Sequence, residues 1–369
     1  MNPLRAWNTF WFGPISARPL GAFRIAFGVV ALANLALLTA DFDHWFTDAG
    51  LLHGTEAREA AGPFRPSPLQ WVQDPASVRV AFGATAIVAV LFTLGWRTRL
   101  MGIGLYLGML SIHHRNVSTA CGADVLLILL AFYLMLSPCG AAYSLDARRA
   151  SRKRGTLAEP LIVPWAQRLI QLQLCLVYFN TAILKAHGST WLDGTALHFV
   201  LNNSEVGRFS LDPLTQYPLA INALTLGALV AEFALAFLLW SRATRPWAIL
   251  AGLGLHAGIL LTVNIPIFGE LMVASYLTFL APDELDALLR RLDPRNWLNR
   301  RQRRRPSIPG RVDSPSRPQG MHQLRWEWRG ELGETAAAPA RVAGQAPPGG
   351  GPQEGTPVSP AEGAVDGSS

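Results

Sequence analysis

Eight apolar stretches punctuate the chain, at residues 20–40, 78–95, 100–112, 121–136, 161–184, 219–240, 246–263 and 267–280. A helix crossing a bilayer needs about 20 apolar residues, within a range of about 17–25. The pattern therefore predicts an all-α integral membrane protein, a bundle of about eight transmembrane helices. The runs 100–112 and 267–280 are short, so a re-entrant or protein-shielded course stands beside full crossing for both. The first run is long for the apolar region of a signal peptide and lacks a clean small-x-small cleavage site, so it is read as a span.

Arginines fix a direction. Arg5 and Arg18 precede the first run, Arg97 and Arg99 separate the second from the third, and Arg148, Arg149, Arg152, Lys153 and Arg154 separate the fourth from the fifth. Arg242 and Arg245 lie between the sixth and seventh, and Arg290, Arg291, Arg295 and Arg300 follow the eighth. The intervening segments are acidic: residues 41–76 hold Asp41, Asp43, Asp48, Glu56, Glu59 and Asp74, and residues 186–218 hold Asp193, Glu205 and Asp212. Positive charge stays on the cytoplasmic side, so both termini are expected there. Trp45, Trp71 and Trp191 at one set of ends, and Trp96, Trp165, Trp240 and Trp247 at the other, fit aromatic belts at both interfaces.

Composition supports this reading. Half of the 369 residues are hydrophobic and 15% are charged, against about 25% in an ordinary soluble domain. The net charge of +7 is spent on topology, so no nucleic-acid partner is expected. Cys121, Cys139 and Cys175 lie in apolar stretches and read as small core residues. The chain divides into an N-terminal cytoplasmic segment (1–15), a membrane domain (16–282), a short amphipathic segment (283–299) and a tail (300–369). The tail opens on a basic run suited to anionic lipid, then turns rich in Pro, Gly, Ser and Ala, the composition of a disordered segment. No zinc spacing, P-loop or internal repeat occurs, and no metal is expected.

Charged groups at membrane depth are functional candidates by default. Here they are Arg24, Asp124, Lys185, Glu232, His256 and Glu270, with Asn116 and Asn180 among the neutral ones. The chain has only two lysines, Lys153 and Lys185. Unlike arginine, a desolvated lysine can lose its proton near neutral pH. Lys185 is thus a candidate base, although a lysine snorkelling to the headgroups would occupy the same place. Asp124 is expected at similar depth, in reach of Lys185 or Arg115. The polar run His113, His114, Arg115 and Asn116 either folds back to line a cavity or forms a plain exposed loop. Glu232 and His256 lie about 12 Å and about 15 Å from the inner ends of their spans, at about 1.5 Å per residue. Those depths permit a contact between them, as a proton relay or a structural pair.

Several segments resemble one known family. Tyr178-Phe179 followed by Lys185, Trp191 and Gly194 is similar to the lysine segment of vitamin K-dependent gamma-glutamyl carboxylases. Arg24-Ile25-Ala26-Phe27-Gly28, then Phe46-Thr47-Asp48-Ala49-Gly50-Leu51-Leu52, Arg115-Asn116 with Gly122-Ala123-Asp124, and Ser144-Leu145-Asp146 resemble the wider HTTM (horizontally transferred transmembrane) domain family. The resemblance covers roughly residues 16–282. It implies a carbon–carbon lyase of the gamma-carboxylase type, in which the motif lysine deprotonates reduced vitamin K or another lipid quinone. Lys185 takes that role, one residue further from Trp191 than in the carboxylases. His114, Asn116, Asp124 and Trp191 are then expected around the quinone, and a secreted peptide or protein is the expected substrate. Neither the Pro/Gly-rich tail nor the outer loops are expected to replace the large β-rich domain of the carboxylases, so a protein substrate would need another recognition route. Two other readings follow: a non-catalytic partner or maturation factor for a secreted peptide, and a proton-coupled transporter using Glu232, His256 and Asp124. In each case the expected location is a cell membrane of the bacterial inner-membrane type, with the lipid bilayer as the constant partner.

Overall fold

Each of the eight apolar runs is helical over most of its length. The computed structural model describes residues 2–293, except 52, 156–158, 210–213 and 215. They belong to one unit, Met1–Arg305; the second unit, Pro306–Ser369, lies outside the described residues, as do the basic run after residue 299, the rest of the tail, Arg295 and Asp212. The α-helices are α1 (Pro3–Phe12), α2 (Arg18–Leu38), α3 (Phe42–Phe46), α4 (Gly54–Ala61), α5 (Pro75–Leu94), α6 (Thr98–Arg115), α7 (Gly122–Leu136), α8 (Leu145–Arg154), α9 (Trp165–Ala186), α10 (Ser189–Leu192), α11 (Ala196–Asn202), α12 (Pro218–Leu238), α13 (Arg245–Thr262), α14 (Phe268–Ser275) and α15 (Pro282–Leu292).

Four helices, α2, α5, α9 and α12, are long and apolar enough to cross a membrane. Helix α7 and the stretch Phe268–Phe279 are apolar but shorter. Helices α6 and α13 run 18 residues each, carrying arginines at their ends. The third run is thus longer as a helix than as an apolar stretch, because Thr98, Arg99, His113, His114 and Arg115 extend it. The eighth breaks instead: α14 gives way to a 3-10 turn, Tyr276–Phe279. At about 1.5 Å per residue its 12 residues span about 18 Å, short of a hydrocarbon core of about 30 Å. The fifth helix starts four residues later than its apolar run, because Leu161–Ile162 pairs antiparallel with Ile15–Ser16.

Polar clamps hold the two ends of this bundle. At the basic end, Asp146 accepts from the Arg97 and Thr98 amides, at 3.0 and 2.7 Å, and from the Thr98 hydroxyl. It satisfies the open N–H groups at the start of α6 from a distance. The helix before it, α5, stops at Gly95, whose φ of +73° suits a residue without Cβ. Arg24 is fully buried and donates to the Phe92 and Tyr143 carbonyls, at 3.1 and 2.7 Å. Arg18 pairs with Asp286, and Arg245 with Glu284, so α15 is tied to the same end.

At the acidic end, α3, α4 and the 3-10 turn Pro68–Trp71 form a small cap rather than an open loop. Buried Arg115 pairs with Asp48, and Arg79 pairs with Asp43. Asn116 is buried and donates to the Trp45 carbonyl at 2.9 Å. The polar run at residues 113–116 is therefore the end of α6, pinned under the cap, and is not an exposed loop. The core packs α2 against α5, α5 against α6, α6 against α7, and α9 against α12. Cys139 and Cys175 are buried as expected, but Cys121 is exposed at the start of α7.

Candidate functional site

A cavity of about 580 Å³ lies among α9, α11, α12 and α13. The 3.6-residue period places Tyr178, Ala182 and Lys185 on one face of α9. Tyr178, Thr181 and Lys185 border the cavity on that side. Across it, small residues of α12 (Gly227, Ala228 and Ala231) precede Glu232. They leave room where larger side chains would fill the space, so two polar side chains can meet inside apolar walls.

Lys185 Nζ donates to Glu232 Oε1. The lysine side chain is 25% exposed and the glutamate 7%. Lys185 Nζ also lies 4.8 Å from the centre of the Trp191 ring, whose face favours a cation. The other carboxylate oxygen, Glu232 Oε2, is buried and has no partner among the described residues. Leaving such an atom unpaired costs about 1–3 kcal/mol, more for a charged group.

His256 enters the same cavity from α13 and is buried. Its Nε2 is 2.7 Å from the Tyr178 hydroxyl, which is 2.5 Å from the Tyr276 hydroxyl. Its Nδ1 is buried and has no partner among the described residues. Tyr178 holds the ring by one nitrogen and is itself held by Tyr276. Gly252 makes this possible: a methyl group there would collide with the Tyr276 hydroxyl.

Three sequence-predicted residues, Lys185, Glu232 and His256, thus meet in one cavity together with Trp191. The pairing differs from the expected one. Glu232 bonds to Lys185, not to His256, because α12 packs closely along α9 and turns its carboxylate that way. Asp124 pairs with neither Lys185 nor Arg115: its Oδ1 faces His113 Nδ1 at 3.4 Å, and its Oδ2 accepts from the Cys121 amide at 2.8 Å. His113 Nε2 lies 3.1 Å from Asn34 Oδ1. His114 Nδ1 donates to the Pro66 carbonyl at 3.2 Å. None of His114, Asn116 and Asp124 borders the cavity, so the expected grouping of these three with Trp191 does not form. Glu270 is half-buried with Oε2 unpartnered, and Asn180 is exposed.

Tyr276 was invisible to the sequence argument. It sits in the 3-10 turn after α14, where no helical period predicts which way a side chain faces.

The HTTM domain family matches residues 12–283. The chain belongs to this family. Neither a curated protein nor a solved structure matches it. The family motifs now have physical content. In this HTTM chain, Arg24, Asp48, Arg115 and Asp146 are clamps at the helix ends, and only the Tyr178 to Trp191 segment reaches the cavity.

Proposed function

We propose that this HTTM protein is a multi-pass cell-membrane enzyme acting on a reduced lipid quinone, with Lys185 as the base. One observation carries the reading: a lysine and a glutamate share a hydrogen bond at the wall of an apolar cavity. Eight helical segments, four of them long apolar helices and the last too short to cross alone, run between the two faces and put both termini in the cytoplasm and the cap of α3 and α4 outside. The alternation of basic and acidic ends supports that orientation.

The cavity fits the group. Its walls are apolar, as a quinone ring requires, and Lys185, Glu232 and His256 border it as the polar groups a hydroxyl could meet. A reduced quinone bound there supplies, with oxygen, the strong base that removes the γ proton of a glutamate before carbon dioxide adds. The chain's own residues prepare the first proton transfer. Burial disfavours separated charges, so a proton shifted from Lys185 to Glu232 along their shared bond leaves a neutral amine facing the cavity. That amine accepts a hydroxyl proton as general base. Trp191 covers Lys185, and the apolar walls exclude water, which protects a reactive base from quenching. His256, held by Tyr178, orients a second oxygen of the ligand.

The test uses protein in lipid nanodiscs with reduced naphthoquinone, oxygen and bicarbonate, and mass spectrometry for quinone epoxide. Wild type is expected to form epoxide; Lys185→Ala and Lys185→Arg are expected to form none while keeping their thermal transition. Full turnover in Lys185→Arg overturns the base role, because a guanidinium does not deprotonate. No epoxide from folded wild type across several quinones favours a non-catalytic partner of a secreted peptide.

A further inference from the structure

The geometry points to a lateral lipid portal: the ligand carries a long apolar tail that leaves the cavity between α12 and α13, past Gly227, Gly254 and Gly258. This rests on the quinone reading above for the head group alone; the portal itself applies to any lipid with a hydroxyl-bearing head.

Four observations converge. First, Gly227, Gly254 and Gly258 border the cavity and are also exposed. A residue that lines a cavity and is exposed marks where the cavity opens. All three belong to the interiors of apolar helices, so the opening faces hydrocarbon rather than water. Second, a methyl group added at any of the three would meet nothing within 4 Å. The glycines are therefore not explained by close helix packing, the usual reason for glycine at such a position. Glycine inside a helix costs about 1 kcal/mol relative to alanine.

Third, a strap of hydrogen bonds lies across the end of the cavity near the headgroups. Arg208 donates through its amide to the Thr262 carbonyl at 2.9 Å and through Nε to the Val263 carbonyl at 3.1 Å, and the Asn264 amide donates to the Val206 carbonyl. Ile267, at φ +71°, makes the sharp turn that follows. A β-branched residue in that region is strained and persists only where its surroundings hold it. Fourth, three polar side chains gather on the wall of an otherwise apolar cavity, Lys185, Glu232 and His256, the last two more than nine-tenths buried. A hydroxyl both donates and accepts, so it suits such a mixed set. The ligand class is thus an amphiphile with a hydroxyl-bearing head at these side chains and a tail in the membrane.

The experiment places the protein in nanodiscs with either of two photoreactive probes, a naphthoquinol with a diazirine near the end of an isoprenoid tail and a diacyl phospholipid with a diazirine in its tail. Crosslinked peptides are mapped by mass spectrometry. With the quinol, label is expected to concentrate on residues 223–231 and 251–259. Gly254→Phe and Gly258→Leu are each expected to cut that labelling at least fivefold, while a tail-less naphthoquinol is still retained. Thermal transitions of both variants report folding, and two positions guard against loss of one. Label spread evenly over the lipid-facing helices, or unchanged in both folded variants, overturns the portal. Concentrated labelling by the phospholipid and none by the quinol upholds the portal and overturns the quinone head group instead.

Discussion

Two buried histidines, each near a buried carboxylate, separate the halves of this molecule. His113, between α6 and α7, is 3% exposed and has a partner at each ring nitrogen, Asn34 and Asp124. Asp124 in turn uses both oxygens. His256, on α13, is 4% exposed and has one partnered nitrogen and, among the described residues, one without a partner; the same holds for the two oxygens of Glu232. Both pairs combine a buried histidine with a buried carboxylate, and the hydrogen-bond accounting differs. A closed polar network fixes a fold, whereas buried atoms left unpaired beside a cavity call for a reason other than the fold. Charge at membrane depth nominates candidates from both halves; only the accounting separates them.

The largest expected break in this comparison is functional. Glu232→Gln is expected to lower quinone turnover by at least about 100-fold, the usual scale of a lost acid–base partner, with little loss of thermal stability. The double substitution Lys185→Met with Glu232→Leu is expected to abolish turnover while leaving the thermal transition equal or higher, since replacing a buried pair by apolar groups is often neutral or stabilising. A marked fall in stability would place this pair with the scaffold instead.

Next in size is the scaffold counterpart. Asp124→Ala removes a partner from buried His113 and the cap at Cys121, so a loss of about 3 kcal/mol in denaturation is expected, with turnover per folded molecule retained. A smaller effect is expected for Gly252→Ala, which pushes the Tyr276 hydroxyl aside. A loss of about 1–2 kcal/mol is expected, with weaker ligand retention and a KM change larger than any change in kcat, because the ring of His256 loses its brace.

The smallest effect concerns acid stability. Burial pushes the Asp146 carboxyl up, but hydrogen bonds from Thr98 and Arg97 outweigh it and hold the group below its ordinary 3.8. A carboxylate depressed in the folded state stabilises above its unfolded value, and that stability is lost as pH falls through the folded value. Stability measured below about pH 4 is therefore expected to fall more steeply in wild type than in Asp146→Asn, which lacks this limb but starts lower at neutral pH.

Much of the helical layout was legible in the apolar runs, and the scarcity of lysine singled out Lys185. Pairings were not legible. Glu232 and His256 have compatible depths, but depth does not say which helix a face meets, and α12 turns Glu232 toward α9. Asp124 is expected at Lys185's depth yet belongs to a different helix pair. The cap escaped notice because α3, α4 and the turn at Pro68–Trp71 are short and polar, held by contacts such as Arg115 with Asp48 rather than by any periodicity. Tyr276 was hidden by the break in the last apolar helix.

Arg24 has a consequence for how the chain is made. Its acceptors, the Phe92 and Tyr143 carbonyls, lie 68 and 119 residues downstream. When α2 leaves the ribosome neither exists, and a guanidinium at the seventh residue of a lone apolar helix is costly to insert without acceptors. The first helix is thus an incomplete passenger. It settles only after the turn beyond α7 has been synthesised, so a ribosome stalled before residue 143 leaves it loosely held at the insertion machinery.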